Sequence, residues 1–125
     1  MNYLLDTHVF LWVLGDSERL DEKVAAAIQD TRHAVFVSAV TSVEIAIKSA
    51  LGKLEAPEDL EDEIGFRGLS HLPLRYRHGA SLRALPTYHQ DPFDRMLIAQ
   101  AMIEELTIIT HNRNFKHYPV DVLWT

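Results

Sequence analysis

Four acidic residues in this chain sit beside apolar runs: Asp6 follows Tyr3-Leu4-Leu5, Glu44 follows Val40 and Val43, and Asp91 and Asp94 precede Met96-Leu97-Ile98-Ala99. A carboxylate at the edge of a core costs free energy unless it is paired, hydrogen-bonded or bound to a cation. Several of them in one small domain point to a shared site for a hard divalent metal. Mg2+ or Mn2+ takes oxygen ligands in near-octahedral geometry and keeps several waters. Such an ion polarises a phosphodiester and activates a water for in-line attack, and a second ion about 4 Å away can steady the leaving oxygen. Acids with no evident nucleophile beside them therefore suit phosphodiester hydrolysis.

Each acid also has a structural reading. Asp6 can cap the helix that follows it. Thr41-Ser42-Val43-Glu44 has the form of a capping box. Asp91-Pro92 reads as an N-cap followed by proline at the first helical position, with Asp94 as an acid in the first turn. A cap contributes about 1 kcal/mol, enough for selection to keep it. The joint pattern asks for more. Val40, Val43, Ile47 and Leu51 form a helical apolar stripe that includes Glu44, and Asp94 falls in line with Leu97, Ile98 and Ala101. Both acids are thus expected to face the interior. Helix N-termini favour the ionised carboxylate, so capping geometry would also keep metal ligands deprotonated.

The elements that must position these acids alternate between strand and helix. Residues 2–5 read as a short buried strand, 8–14 as a helix stopping near Gly15, 21–31 as a second helix and 34–37 as a second strand. A helix starting at Ser38 or Thr41 runs to Leu51 and is ended by Gly52. Pro57 opens a short acidic helix with a solvated face; residues 69–72 form a weak strand, and a helix follows over 76–85. Residues 86–90 are loop, and 92–104 form a helix that is apolar nearly all round, hence buried between other elements. A strand over 106–110, a short helix or turn over 112–118 and a strand over 122–124 complete the chain. Alternation of this kind, with short continuous apolar strands, implies an α/β fold whose parallel sheet is covered on both faces. Sites in such sheets form beyond the carboxyl ends of the strands. Asp6, Thr110 and Asn112 directly follow strands, and Glu44 lies early in the helix after the second one, so all can reach that rim.

Composition narrows the class further. The chain has 125 residues, 47% of them hydrophobic, which supports one domain over residues 1–125 with a core of its own. It contains no cysteine, which excludes a disulfide framework and thiolate zinc sites and fits a reducing compartment. The net charge of −6 argues against coating nucleic acid by bulk electrostatics, though not against a local basic rim. The N-terminus lacks a basic region before its apolar run and no stretch is long enough to span a bilayer, so no membrane association and a cytoplasmic location are expected. Gly-rich phosphate loops and Gly-x-Ser-x-Gly are missing. None of the seven histidines has His-x-x-x-His spacing, so zinc is not expected. His8, His89 and His111 are candidates for the rim; Lys48 and Arg95, beside the acids, could meet phosphate or balance carboxylates. Arg75, Arg77, Arg83, Lys53, Arg113 and Lys116 could form a basic rim or a scattered surface. Trp12 and Trp124 read as core or interface packing residues, and Phe10 with Trp12 as exposed apolar residues on the early helices.

Leu4-Leu5-Asp6-Thr7-His8, Val43-Glu44-Ile45-Ala46-Ile47-Lys48, Leu51-Gly52-Lys53-Leu54 and the block from Asp91 to Ala101 together resemble PIN-domain proteins, and most of all VapC-type toxins of toxin–antitoxin pairs. The resemblance extends in order to Tyr118 and Leu123-Trp124, and the Asp91–Ala101 block is its most specific part. It implies a three-layer α/β/α sandwich with a central parallel sheet and a Mg2+- or Mn2+-dependent endoribonuclease that leaves 3′-hydroxyl and 5′-phosphate ends on RNA. It also implies a homodimer, and a VapB-type antitoxin that blocks the site in a toxin–antitoxin hetero-oligomer. By position, Asp6, Glu44 and Asp94 correspond to the core metal-binding, catalytic acids; Asp91 is an additional acid that is either ligand or cap, and Thr7 and Thr110 would orient carboxylates or water. Where the family often has a fourth acid, this chain has Asn112, a weak ligand without charge, which puts a second metal in doubt. That departure leaves a second reading, a catalytically inactive PIN-like binding module acting through an antitoxin or transcriptional partner.

Overall fold

The computed structural model describes residues 1–125. Strand β1 (Tyr3–Leu5) leads into α1 (Thr7–Gly15), α2 (Glu22–Gln29), β2 (Val35–Ser38) and α3 (Ala39–Ala50). Then come α4 (Leu60–Phe66), β3 (Ser70–Leu72), α5 (Tyr76–Ser81), α6 (Pro92–Glu104), β4 (Thr107–Thr110) and β5 (Val122–Trp124). The five strands are all parallel, in the order β3-β2-β1-β4-β5. The first strand made is the central one.

Burial on both faces explains why the strands lack polar alternation. Tyr3, Leu5, Val35, Val37 and Ile109 face one layer, where Val9 and Phe10 of α1, Val24 of α2 and Ile64 of α4 cover them. Leu4 and Ile108 face the other, against Leu97, Ile98 and Ala101 of α6 with Phe115 and Tyr118 beyond β4. This is the expected three-layer α/β/α arrangement. Residues alternate between the two cores with the pleat, Leu4 lying opposite Phe36 and Ile108 in register.

The strand order places the topological switch at β1 and β4. From β1 the chain steps outward to β2 and β3, then returns across the sheet through α5 and α6 to enter β4 on β1's other edge. Crevices at the carboxyl ends of such strands collect the residues that follow them. No helix is long and apolar enough to cross a membrane.

Several local expectations are corrected. The helix after β2 is capped by Ser38, whose side chain accepts the Val40 N–H at 3.0 Å, so Thr41 and Glu44 lie inside the helix and form no capping box. Val43, Ile47 and Leu51 are 50%, 46% and 63% exposed, whereas Val40, Thr41, Glu44 and Ile45 are buried. Glu44 therefore faces inward on a different side of α3 from the stripe that was read as its setting. Pro57 does not open a helix, which starts at Leu60 instead, and the helix from Tyr76 ends at Ser81. A single 3-10 turn at Ser17–Arg19 was not foreseen. Phe10 is fully buried and so cannot serve an interface. Gly52 does end α3, at φ 71°, a conformation that favours glycine.

Candidate active site

Asp6 is both a helix cap and a buried rim acid. Its backbone N–H still donates to Ile109 O at 3.1 Å, continuing the β1–β4 ladder, and Oδ1 accepts the Val9 N–H at 2.8 Å. Its other oxygen, Oδ2, accepts a short hydrogen bond from the Thr110 hydroxyl, at the end of β4. The same hydroxyl accepts the Asn112 N–H at 3.0 Å, which fixes its rotamer. Burial pushes the Asp6 carboxyl above its ordinary value; Thr110 and Val9 pull it back, and the charge of Glu44 pushes up.

Glu44 is 2% exposed and reaches the rim from α3. Oε1 accepts the Thr7 hydroxyl at 2.6 Å, and Oε2 pairs with Lys48 Nζ at 2.5 Å one turn along the helix. Since Thr7 gives its single proton to Glu44, the 3.1 Å contact between Thr7 and Thr41 must be a bond that Thr41 donates. Lys48 also lies 6.0 Å from the Phe93 ring, at the start of α6, so it spans the gap between α3 and the second pair of acids.

Asp91 caps α6. Its Oδ1 accepts the Phe93 and Asp94 N–H groups at 2.9 and 3.2 Å, and proline follows at the first helical position. Asp94 is one step further in. Its Oδ2 accepts from Asn112 Nδ2 at 3.0 Å and meets His89 Nε2 at 3.3 Å. Burial first, then the negative charges of Asp91, Glu44 and Asp6, push Asp94 up to about 7, with Lys48 opposing. Asp94 thus lies within electrostatic reach of Asp91, Glu44 and Asp6, on the side of the sheet where β1 and β4 end. Even so, no three carboxyl or imidazole groups converge into a closed metal-ligand cluster.

The remaining candidates separate. Asn112 has both ends of its amide engaged, since its oxygen accepts the Asn114 N–H at 3.0 Å while its nitrogen serves Asp94. Arg95 turns away from the acids: it donates to Pro86 O at 2.7 Å, Leu85 O at 3.1 Å and the Tyr118 hydroxyl at 3.3 Å. His111 Nδ1 donates to Thr125 O at 2.6 Å, and the ring packs edge-on to Trp12. Arg77 pairs with Glu104 at the far end of α6, and Arg113 sits over Trp124. His8 is exposed beside the Asp6 crevice. Tyr118, which enters the sequence reading only as part of the family resemblance, meets His89 and Arg95 through its hydroxyl. It is 4% exposed, and a buried tyrosine hydroxyl requires a polar partner, which is the signal that could have found it.

A five-stranded parallel sheet with carboxylates gathered at its switch point defines a PIN-type α/β domain. This chain belongs to the PIN domain family, whose model matches residues 3–121. Its fold resembles a chain in the crystal structure of VapBC2 from Rickettsia felis bound to a promoter DNA fragment, with TM-score 0.74, 16% identity and coverage of 99% and 98% of the two chains. It also resembles a chain of DNA-bound VapBC from Salmonella typhimurium, with TM-score 0.71, 21% identity and coverage of 99% and 98%. A third likeness, to FitAcB from Neisseria gonorrhoeae, has TM-score 0.63, 21% identity and coverage of 97% and 96%. Comparison of the sequence with curated proteins gives no match.

Proposed function

We propose that this PIN-domain protein is the toxin of a toxin–antitoxin pair and acts as a Mg2+- or Mn2+-dependent endoribonuclease. The observation that carries this reading is the largely buried Asp94, whose proton affinity is raised first by burial and then by the charges of Asp91, Glu44 and Asp6. Three acids that repel one another in a buried setting are a poor structural solution unless a cation neutralises them. An all-oxygen donor set suits a hard cation rather than zinc. The groups that would hold the ion are Asp6, Glu44 and Asp94, with Asp91 Oδ2, which accepts no protein hydrogen bond, able to contribute. A bound ion would supply charge neutralisation at the phosphate and a water deprotonated at neutral pH. The chain's own residues do the rest: Thr110 and Thr7 hold the Asp6 and Glu44 carboxylates in fixed rotamers, and Lys48 pairs with Glu44 while lending positive charge to the rim.

The fold likeness to chains of the VapBC and FitAcB structures supports a VapB-type antitoxin as partner. The exposed apolar stripe of Val43, Ile47 and Leu51 supports an interface on α3, consistent with a homodimer or a hetero-oligomer. A binding module without catalysis draws on one observation, the lack of a fourth acid at Asn112.

The test is incubation of antitoxin-free protein with total RNA in Mg2+, in EDTA, and with an Asp94→Asn variant. Discrete products that need the metal and vanish in the variant are expected. A folded protein that binds no Mn2+ and cleaves nothing would favour the binding module.

A further inference from the structure

His89 stands in the loop before α6, with its imidazole between Asp94 and Tyr118, and its hydrogen bonds fix which nitrogen carries the proton. The Tyr118 hydroxyl oxygen accepts the His89 backbone N–H at 3.3 Å and Arg95 Nη1 at 3.3 Å. Both of its acceptor positions are then filled, leaving its O–H to donate. The acceptor is His89 Nδ1, at 2.8 Å. With Nδ1 accepting, Nε2 bears the hydrogen and points it at Asp94 Oδ2, 3.3 Å away. Asn112 Nδ2 donates to the same oxygen at 3.0 Å. Two donors thus hold Asp94 Oδ2, while Oδ1 has no protein partner.

We infer that His89, backed by Tyr118, is a positioning residue that turns Asp94 so that Oδ1 alone is presented to the crevice as a single-oxygen metal donor, with Asn112 sharing this task rather than ligating a second ion. The inference rests on the reading of Asp94 as a metal-holding acid. The geometry extends outward as a relay of rigid contacts. Arg95 fastens Tyr118 to the carbonyls of Pro86 and Leu85, so the loop carrying His89 is held at both of its ends against α6. Outer-shell hydrogen bonds of this kind commonly govern metal affinity as strongly as the ligands' own packing.

Antitoxin-free protein is titrated with Mn2+ and assayed on RNA as wild type, His89→Ala, His89→Gln, Tyr118→Phe and Asp94→Asn, each checked for a cooperative unfolding transition. His89→Ala is expected to weaken Mn2+ binding by about 10-fold and to lower kcat with KM for RNA unchanged. His89→Gln, which keeps a donor near the Nε2 position, should recover most of both losses. Tyr118→Phe keeps the ring but frees Nδ1, and should fall between wild type and His89→Ala; it decides the matter if His89→Ala does not fold. Unchanged Mn2+ affinity in both His89→Ala and Tyr118→Phe, or a loss confined to KM, overturns the inference. A wild type that binds no Mn2+ and does not differ from Asp94→Asn sinks the metal-site reading, and this inference with it.

Discussion

Thr110 donates its hydroxyl to Asp6 across 104 positions of the chain, tying the end of β4 to the first residue after β1. The two strands are neighbours in the sheet, so this bond costs little backbone order beyond what pairing already supplies. It also counts among the interactions that favour the ionised form of a carboxylate that burial disfavours.

Thr110→Val keeps the shape and removes the donor. Asp6 is then left with the Val9 N–H alone, and the variant should lose about 1–3 kcal/mol at pH 8. Its Mn2+ affinity should fall as well, while Thr110→Ser retains both. Urea unfolding and Mn2+ titration of the two variants check this.

Asp94 makes the metal-free protein sensitive to pH. Its carboxyl titrates at about 7 in the folded chain against 3.8 as an ordinary aspartate, so between these values the folded state holds the extra proton. Stability without metal should therefore fall as pH rises from about 4 to about 7, by at most about 1.4 kcal/mol per unit, and stay low above. Asp94→Asn should flatten that slope and be the more stable chain at pH 8 in EDTA. Saturating Mn2+ should reverse the order, since only wild type gains from binding. Unfolding curves at pH 5 and 8 decide it.

Lys48→Met leaves Glu44 buried with only the Thr7 hydroxyl to answer its charge. A loss of about 1–3 kcal/mol is expected in EDTA, and a smaller one with Mn2+ bound, when the metal takes over the neutralisation. Equal losses in the two conditions would separate Lys48 from the metal site.

Gln100 is fully buried in α6, where Ser38 donates to its oxygen at 2.5 Å and its nitrogen donates to Pro73 O at 3.2 Å. One amide thus joins α6 to the carboxyl ends of β2 and β3. Gln100→Leu should cost about 1–3 kcal/mol, chiefly because the buried Ser38 hydroxyl loses its acceptor. Thermal unfolding measures it.

The stripe of Val43, Ile47 and Leu51 predicts association through α3. Ile47→Asp should shift the sedimentation of antitoxin-free protein towards monomer with the unfolding midpoint unchanged. A wild type that is already monomeric would remove α3 from consideration as a self-association surface.

The parallel sheet was legible in sequence because its strands are buried on both faces and read as unbroken apolar runs such as Leu4-Leu5 and Ile108-Ile109. Placing Asp6 and Thr110 at the rim followed from connectivity alone. The inward setting of Glu44 does not follow from the stripe: helical periodicity cannot tell a stripe that meets the core from one left exposed, and Val43, Ile47 and Leu51 are exposed. The start of α3 stays open in the sequence between Ser38 and Thr41 because both are good caps; Ser38 takes the role, at the end of β2, so the Thr41–Glu44 capping box does not form. Asn112 read as a substitute ligand, whereas its two hydrogen bonds depend on Asn114 and Asp94, partners that sequence spacing does not reveal. The His89–Tyr118 contact joins residues 29 positions apart through a loop and a 3-10 turn, where no periodicity operates.

The central position of β1 has a consequence for synthesis. Its partner on one side, β2, follows within about one helical pair, but its other edge stays open until β4 is made. A nascent chain stopped before residue 107 would present an unpaired apolar edge, a template for wrong partners, and would leave Asp6 without Thr110. Chains stopped short of β4 thus lack one wall of the site, which can assemble only after residues 107–112 have left the ribosome.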